Sequence, residues 1–364
     1  MSFDPHAYTY RFDEEGCTHA RLVGGKGKGL GEMTADGLPV PPGFAVSASA
    51  YRRFLDQDNL RRDIAAQLKD LDPEDYAEIE AAAERIDILM AASRLPADVA
   101  EKIREGYAAL SVLSGVEDVA VAVRSSGTAE DSSADSFAGE FETWVDIKGI
   151  DDVLAHVHRC YTSVYAPRVI RYALERGIDL ARVEMAVVVQ KTVRARTAGV
   201  MFTLDPISGD RSRIVLEASW GLGLAVVGGE VTPDRFTVSK VGLSVQSRVL
   251  GDKRVEYRRG DGTTEVPEER RDQLCLSDEE VVALAAFGKR LEKRHGGPQD
   301  IEFAVDEELP ERENLLLLQC RPETVWSGVE RAPAFDPKEK MMSWITSSIT
   351  VPTKTQTSGG HRHG

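Results

Sequence analysis

A mixed α+β fold in two lobes is predicted by three features of this sequence. The 364 residues are about twice the length of a typical single domain. Helical and strand-type segments come in blocks rather than in βαβα alternation. Hydrophobic residues at 42% and charged residues at 29% describe an ordinary globular chain with enough apolar surface for a core on both sides of a cleft.

The elements follow from local pattern. Residues 1–59 are glycine-rich and punctuated by proline. The spacing Ile79, Ala82, Ile86, Met90 predicts a helix over 73–93, with Asp72 as its cap and Pro73 at its first position. A second helix is expected over 97–113, a buried strand over 119–123 ending at Arg124, and one helix over 150–176. Short β-type runs occupy 185–190, 199–203 and 213–217. Ser277-Asp-Glu-Glu280 is a capping box opening a helix that runs to about His295. Strands over 300–305 and 315–320 are joined by an acidic turn. Residues 343–364 show no periodicity and read as a tail or docking segment.

Charge narrows the function. Forty-five Lys and Arg against 60 Asp and Glu give a net charge of −15, which argues against a nucleic-acid surface but not against a polyanionic small molecule held by a local basic cluster. Cys17, Cys160, Cys275 and Cys320 are scattered, which suits free thiols in a reducing compartment. The N-terminus has no leader pattern, and no apolar run approaches the roughly 20 residues that span a bilayer. A cytoplasmic protein without membrane contact is expected.

Three segments can carry chemistry. Gly24-Gly-Lys-Gly-Lys-Gly-Leu-Gly31 lets backbone N–H groups approach an anion, with Lys26 and Lys28 adding charge; a flexible surface loop explains the same composition equally well. It matches neither the Walker A nor the dinucleotide fingerprint. In Val123-Arg-Ser-Ser-Gly-Thr-Ala-Glu-Asp131, continued by Ser136-Phe-Ala-Gly139, Arg124 offers a planar guanidinium to phosphate oxygens; this is favoured over an ordinary ion-paired arginine beside a turn, because the loop is long and polar yet contains Phe137. In the C-terminal strand pair, alternation places Asp300, Glu302 and Ala304 on one face, and Leu317, Gln319 and Arg321 on one face. If the strands pair, Glu302, Gln319 and Arg321 converge, and the two oxygen ligands suit Mg²⁺. An exposed polar hairpin face is the commoner explanation of any such pair. His156 and His158 point to different faces of a helix, Trp220 reads as core, and His361 and His363 belong to the tail.

Taken in order, these segments resemble the N-terminal nucleotide-binding region of phosphoenolpyruvate synthase and pyruvate phosphate dikinase, over about 23–325. The resemblance rests on Gly24-Gly-Lys-Gly with Leu30-Gly-Glu-Met33, on Pro39-Val-Pro-Pro-Gly-Phe44, and on Val123-Arg-Ser-Ser126 with Ala129-Glu-Asp131. It continues through Ser136-Phe-Ala-Gly139, Gly199-Val-Met-Phe202, Gln299-Asp-Ile-Glu302 and Gln319-Cys-Arg-Pro-Glu-Thr324. It implies an ATP-grasp fold whose two lobes enclose a nucleotide cleft, here 1–190 and 191–328, followed by a tail or docking segment over 329–364. It also implies that Lys26 and Arg124 bind ATP phosphates, that Gly139 lies in a phosphate-covering loop, and that Val189, Gln190 and Lys191 pass the adenine. Glu302 and Gln319 would hold Mg²⁺, and Arg321 would meet the terminal phosphates; Lys26, Arg124 and Arg321 would then be the catalytic cations. Two positions depart from the family: Glu140 stands where Gln is usual, and Gly127 where Ala is usual.

In this family a mobile domain carries a histidine in a Gly-Gly-x-x-Ser/Thr-His-Ala motif. Gly359-Gly-His361 lacks that spacing. The resemblance therefore implies a dikinase subunit that sends a phosphoryl group from ATP, leaving AMP and phosphate, to a histidine on a separate partner subunit that also holds the acceptor site. A split arrangement of this kind resembles phenylphosphate synthase, which makes phenol the expected acceptor. A phosphoenolpyruvate synthase-like enzyme acting on pyruvate, a non-catalytic ATP sensor, and an ATP-grasp ligase giving ADP are the alternatives.

Overall fold

The structure is a computed structural model and describes residues 3–128, 143–260 and 262–326. The described fold lies in a compact unit, Met1–Glu323; a second unit, Thr324–Gly364, is described only at 324–326. The tail expected at 329–364 and the loop residues Gly139 and Glu140 lie outside the described residues.

The architecture is α+β, with two antiparallel sheets. The first contains β1 (Thr9–Arg11), β2 (Gly43–Val46), β3 (Val121–Gly127), β4 (Thr143–Ile147) and β5 (Met185–Lys191), in the order β1-β2-β5-β3-β4. Helix α1 (Ala20–Ala35) precedes β2. Helices α2 (Ala48–Leu55), α3 (Leu60–Leu68), α4 (Tyr76–Ala92), α5 (Ala97–Ser114), α6 (Ile150–Ser163) and α7 (Pro167–Arg176) supply much of a core with Phe44, Val121, Val123, Val187 and Val189. The predicted stripe Ile79, Ala82, Ile86, Met90 is buried, and Ile79, Ile86 and Met90 belong to that core.

Several boundaries differ from the sequence expectation, each for a local reason. Helix α4 starts at Tyr76, because Asp75 and not Asp72 is the cap: its Oδ1 accepts from Glu78 N at 3.0 Å. Asp72 instead closes a turn, accepting from Glu74 N at 2.9 Å. The single helix expected over 150–176 breaks in two, because Pro167 opens a new helix and holds Ala166 extended at ψ 144°. Strand β3 does not end at Arg124, since Ser125, Ser126 and Gly127 continue its pairing with Val187, Ala186 and Met185.

The second sheet contains β6 (Ala195–Phe202), β7 (Arg213–Trp220), β8 (Asp234–Ser239) and β9 (Ser244–Val249). A separate ribbon pairs β10 (Val255–Arg258) with β11 (Gly262–Glu265). The sheet is completed by β12 (Gln299–Asp306) and β13 (Leu315–Pro322), in the order β13-β12-β6-β7-β8-β9. Short helices α8 (Leu224–Val227) and α9 (Glu268–Arg271) flank the ribbon in sequence, and α10 (Asp278–His295) packs Val281, Leu284 and Leu291 into the second core with Phe236, Ile301 and Phe303. Helix α10 opens on the expected capping box: Glu280 N donates to Ser277 Oγ at 3.2 Å, and Ser277 N to Glu280 Oε2 at 2.9 Å.

The glycine-rich segment is neither a phosphate loop nor a flexible surface loop. It is helical, with a kink at Gly24, whose φ of 69° belongs to the left-handed region. A Cβ there would collide with the Ser126 carbonyl, and a Cβ on Gly29 would sit 2.9 Å from the Cys320 carbonyl. The glycines let α1 lie against β3 of the first sheet and β13 of the second.

Candidate active site

A cleft of about 320 Å³ is lined by residues of both sheets and of α1. Its two ends differ in chemistry.

One end is polar and basic. After the Gly24 kink the helix restarts, so Gly25 and Lys26 stand in the first turn of the resumed helix and line the cleft. The N-terminal turn of a helix favours anions, because the helix dipole is positive there. Gly27 N is already taken, donating to Ser126 Oγ at 3.2 Å, and Ser126 Oγ donates to Val23 O at 2.7 Å. Lys28 faces elsewhere and pairs with Glu32 at 3.7 Å. Arg124, mid-strand on β3, reaches across to β12: its Nη2 lies 2.7 Å from Glu302 Oε2, and its Nη1 donates to Leu318 O at 3.3 Å.

Glu302 and Gln319 are direct cross-strand neighbours, as are Asp300 and Arg321. The predicted convergence therefore occurs, with one correction. A bulge at Glu302/Phe303 sets Phe303 opposite Leu317. Leu317 is thereby placed in the second core, and Leu318 lines the cleft beside Gln319. Arg321 is held by Asp300, with Nη2–Oδ2 at 2.7 Å.

The electrostatics follow from this packing. Burial pushes the Glu302 carboxyl up, but Arg124 above all, with Arg321 and Lys26, outweighs it and leaves Glu302 below the usual carboxylate range. Three cations thus act on one carboxylate. Burial raises the Asp300 carboxyl, and Arg321 offsets this only in part. Two buried polar atoms here have no hydrogen-bond partner among the described residues, Arg124 Nε and Gln319 Oε1. Such orphans are costly unless a ligand completes them. An amide oxygen that only accepts, beside an ionised carboxylate, fits a hard cation such as Mg²⁺ that takes its remaining oxygens from phosphates. Among the described residues no group of three or more His, Cys, Asp and Glu is poised to hold a metal. The sparse donor set thus fits a cation shared with a ligand rather than a closed protein cage.

The other end is mostly apolar. Val193, Ala198, Ala304, Leu316 and Leu318 pack together, and all but Leu316 line the cleft. Gln190 and Lys191 line it where β5 leaves the first sheet, tied down by Gln190 Nε2 to Pro41 O at 3.3 Å and Lys191 N to Pro42 O at 2.9 Å. Val189 does not line it: alternation along β5 turns its side chain into the first core, which corrects its expected place. Thr192, whose buried Oγ1 has no partner among the described residues, and the segment Leu222-Gly223-Leu224 line the cleft without a counterpart in the sequence analysis. The Gly221-Leu-Gly223 spacing directly after β7 was the available signal for the latter.

Of the residues set aside in the sequence, His361 and His363 lie outside the described residues, and His158 and Trp220 make structural contacts. His158 Nε2 lies 3.0 Å from the carbonyl oxygens of Met90 and Ser93. Trp220 is buried, donating Nε1–H to Arg270 O at 3.0 Å. No helix of the described residues is long and apolar enough to cross a membrane.

Comparison with known proteins adds the following. The family model for the pyruvate phosphate dikinase AMP/ATP-binding domain matches residues 20–341. A probable phosphoenolpyruvate synthase of Methanothermobacter thermautotrophicus is 42% identical over 320 residues, covering 87% of this chain and 46% of its own length. One from Methanocaldococcus jannaschii is 40% identical over 316 residues, covering 86% and 26%. The phosphoenolpyruvate synthase of Aeropyrum pernix is 40% identical over 352 residues, covering 88% and 43%. The chain spans less than half the length of these relatives.

Proposed function

The chain belongs to the pyruvate phosphate dikinase AMP/ATP-binding domain family, and from that premise we propose that its cleft is an ATP-grasp site that binds ATP and orients the terminal phosphates for transfer to a histidine. The observation that carries this reading is the meeting of Lys26, Arg124 and Arg321 around the Glu302–Gln319 pair, opposite an apolar slot. A flat apolar base fits the slot between Ala198, Ala304 and Leu318. A triphosphate of about −4 charge needs several cations, and phosphoryl transfer is promoted mainly by such positioning and charge stabilisation.

Each residue then has a role. Lys26 and Arg124 bind and orient phosphates. Glu302 keeps Arg124 extended across the cleft, and its low pKa keeps it ionised at neutral pH. Glu302 and Gln319 would hold Mg²⁺, which when bound supplies charge neutralisation to the phosphates. Arg321, fixed by Asp300, meets the terminal phosphates. Gln190, Lys191 and Thr192 border the base.

The acceptor histidine is proposed to lie outside these 364 residues, on a partner subunit with the swivelling domain and the second active site. ATP then ends as AMP and phosphate. The names of the relatives favour pyruvate over phenol as the final acceptor, so the phosphoenolpyruvate synthase-like reading replaces the phenylphosphate reading as the preferred one. The test is the nucleotide product formed when the chain is mixed with ATP, Mg²⁺ and a histidine-bearing partner domain. AMP with phosphohistidine supports the proposal. ADP alone points to a ligase, and unchanged ATP that nonetheless binds points to a sensor.

A further inference from the structure

Asp146, on β4, has a φ of 59°, the left-handed region that a side chain other than Gly, Asn or Asp rarely occupies. The register explains this conformation. Val123 faces Trp144 and Val121 faces Ile147, so Val145 and Asp146 together oppose one residue, Ala122. This is a bulge, a device that re-aims a side chain. Its neighbours Thr143 and Val145 line the cleft. The carboxylate of Asp146 meets the guanidinium of Arg259, with Nε–Oδ1 at 3.2 Å and both side chains only 22–23% exposed.

Arg259 stands in the turn that joins β10 to β11. The root of that ribbon is fixed to the second sheet. Lys253 Nζ lies 2.5 Å from Asp234 Oδ1, both side chains fully buried, and Asp234 also accepts from Gly251 N and Cys275 N. Farther along, Leu222 N donates to Tyr257 O at 2.8 Å, so the ribbon holds the Leu222-Gly223-Leu224 wall of the cleft. The ribbon is therefore anchored on the second-sheet wall and touches the first-sheet wall at its tip.

We propose that the Arg259–Asp146 pair is a latch that closes the cleft, so that nucleotide entry and exit require it to open. A bulge residue whose carboxylate reaches the tip of an anchored ribbon is explained by such a role, and β-pairing alone does not require it. Identifying the traffic as nucleotide rests on the proposed ATP reading; the latch itself does not.

The test therefore has two arms. Asp146→Asn keeps a residue tolerated at positive φ and removes the charge; Arg259→Gln removes the other partner; Arg259→Lys keeps the charge. In the nucleotide-free protein, hydrogen exchange of amides in 143–147 and 221–224 is expected to accelerate about two- to fivefold in either charge-removing variant, as for loss of a partly shielded pair. The double variant should go no further than either single, and Arg259→Lys should stay near wild type. With a fluorescent ATP analogue, association and dissociation rates should both rise by a similar factor, leaving Kd less changed than either rate. Wild-type exchange in both charge-removing variants, or additive effects in the double variant, overturns the latch. Accelerated exchange with a wild-type protein that binds no ATP analogue upholds the latch and overturns the nucleotide reading.

Discussion

Arg124 and Glu302 are the residues on which the cleft's chemistry turns, because each is largely shielded, at 13% and 25% exposed, and each is the other's partner. Removing one takes from the other its nearest opposite charge, although Arg321 and Lys26 still act on Glu302 and Leu318 O still accepts from Arg124. Arg124→Ala, Lys26→Ala and Arg321→Ala are each expected to lower phosphoryl transfer by about 10²–10³-fold while the circular dichroism spectrum stays native. Retained transfer in all three variants removes the phosphate assignment. The pH dependence has a definite sign. Glu302 is depressed in the fold, so its contribution to stability is present above its unfolded pKa, near about 4.3, and is lost as pH falls through the lower folded value. Glu302→Gln should thus flatten the fall in melting temperature as pH drops below about 4.3, relative to wild type, measured by calorimetry. That Lys26, Arg124, Glu302, Gln319 and Arg321 line one cleft was legible in the sequence, because they sit in short, ordered motifs rich in charge. Val189 was misplaced because proximity in sequence to Gln190 says nothing of which face a strand residue takes. Asp300 was seen as a face neighbour, but its hold on Arg321 depends on a register the sequence does not print.

At the scale of elements, α1 shows how composition can mislead. Five glycines in eight residues suggested a loop, yet only Gly24 needs left-handed freedom, and Gly29 and Gly31 are small because carbonyls of Cys320 and Cys17 crowd them. Gly24→Ala meets both a positive φ and the Ser126 carbonyl, and should cost about 2 kcal/mol or more of stability in denaturant titration. A neutral result means that the kink is not required. The cap of α10 is a control far from the cleft chemistry. Ser277→Ala should cost about 1 kcal/mol and leave ATP affinity unchanged. Helix α10 and its cap, the α4 stripe and the β12–β13 pair were readable because their periodicity is strong. Strands β8 and β9 and the β10–β11 ribbon were not placed: β9 and β11 are mostly exposed, and what sets the ribbon is tertiary, through Lys253–Asp234 and Tyr257. The bulges at Glu302 and Asp146 left no local signature either.

For the molecule as a whole, the two sheets matter because neither carries a complete site. The first sheet and α1 bring Lys26, Arg124, Gln190 and Lys191; the second brings Glu302, Gln319 and Arg321. The −15 net charge is compatible with this, since the cations gathered at the cleft form a local positive field inside an acidic protein. Binding of ATP at this junction through those cations is measured by calorimetric titration of ATP with Mg²⁺ into the wild-type chain and into Arg124→Ala. One saturable site is expected in the wild type, weakened at least tenfold in the variant. No binding to the wild type, or equal affinity in the two proteins, would contradict it.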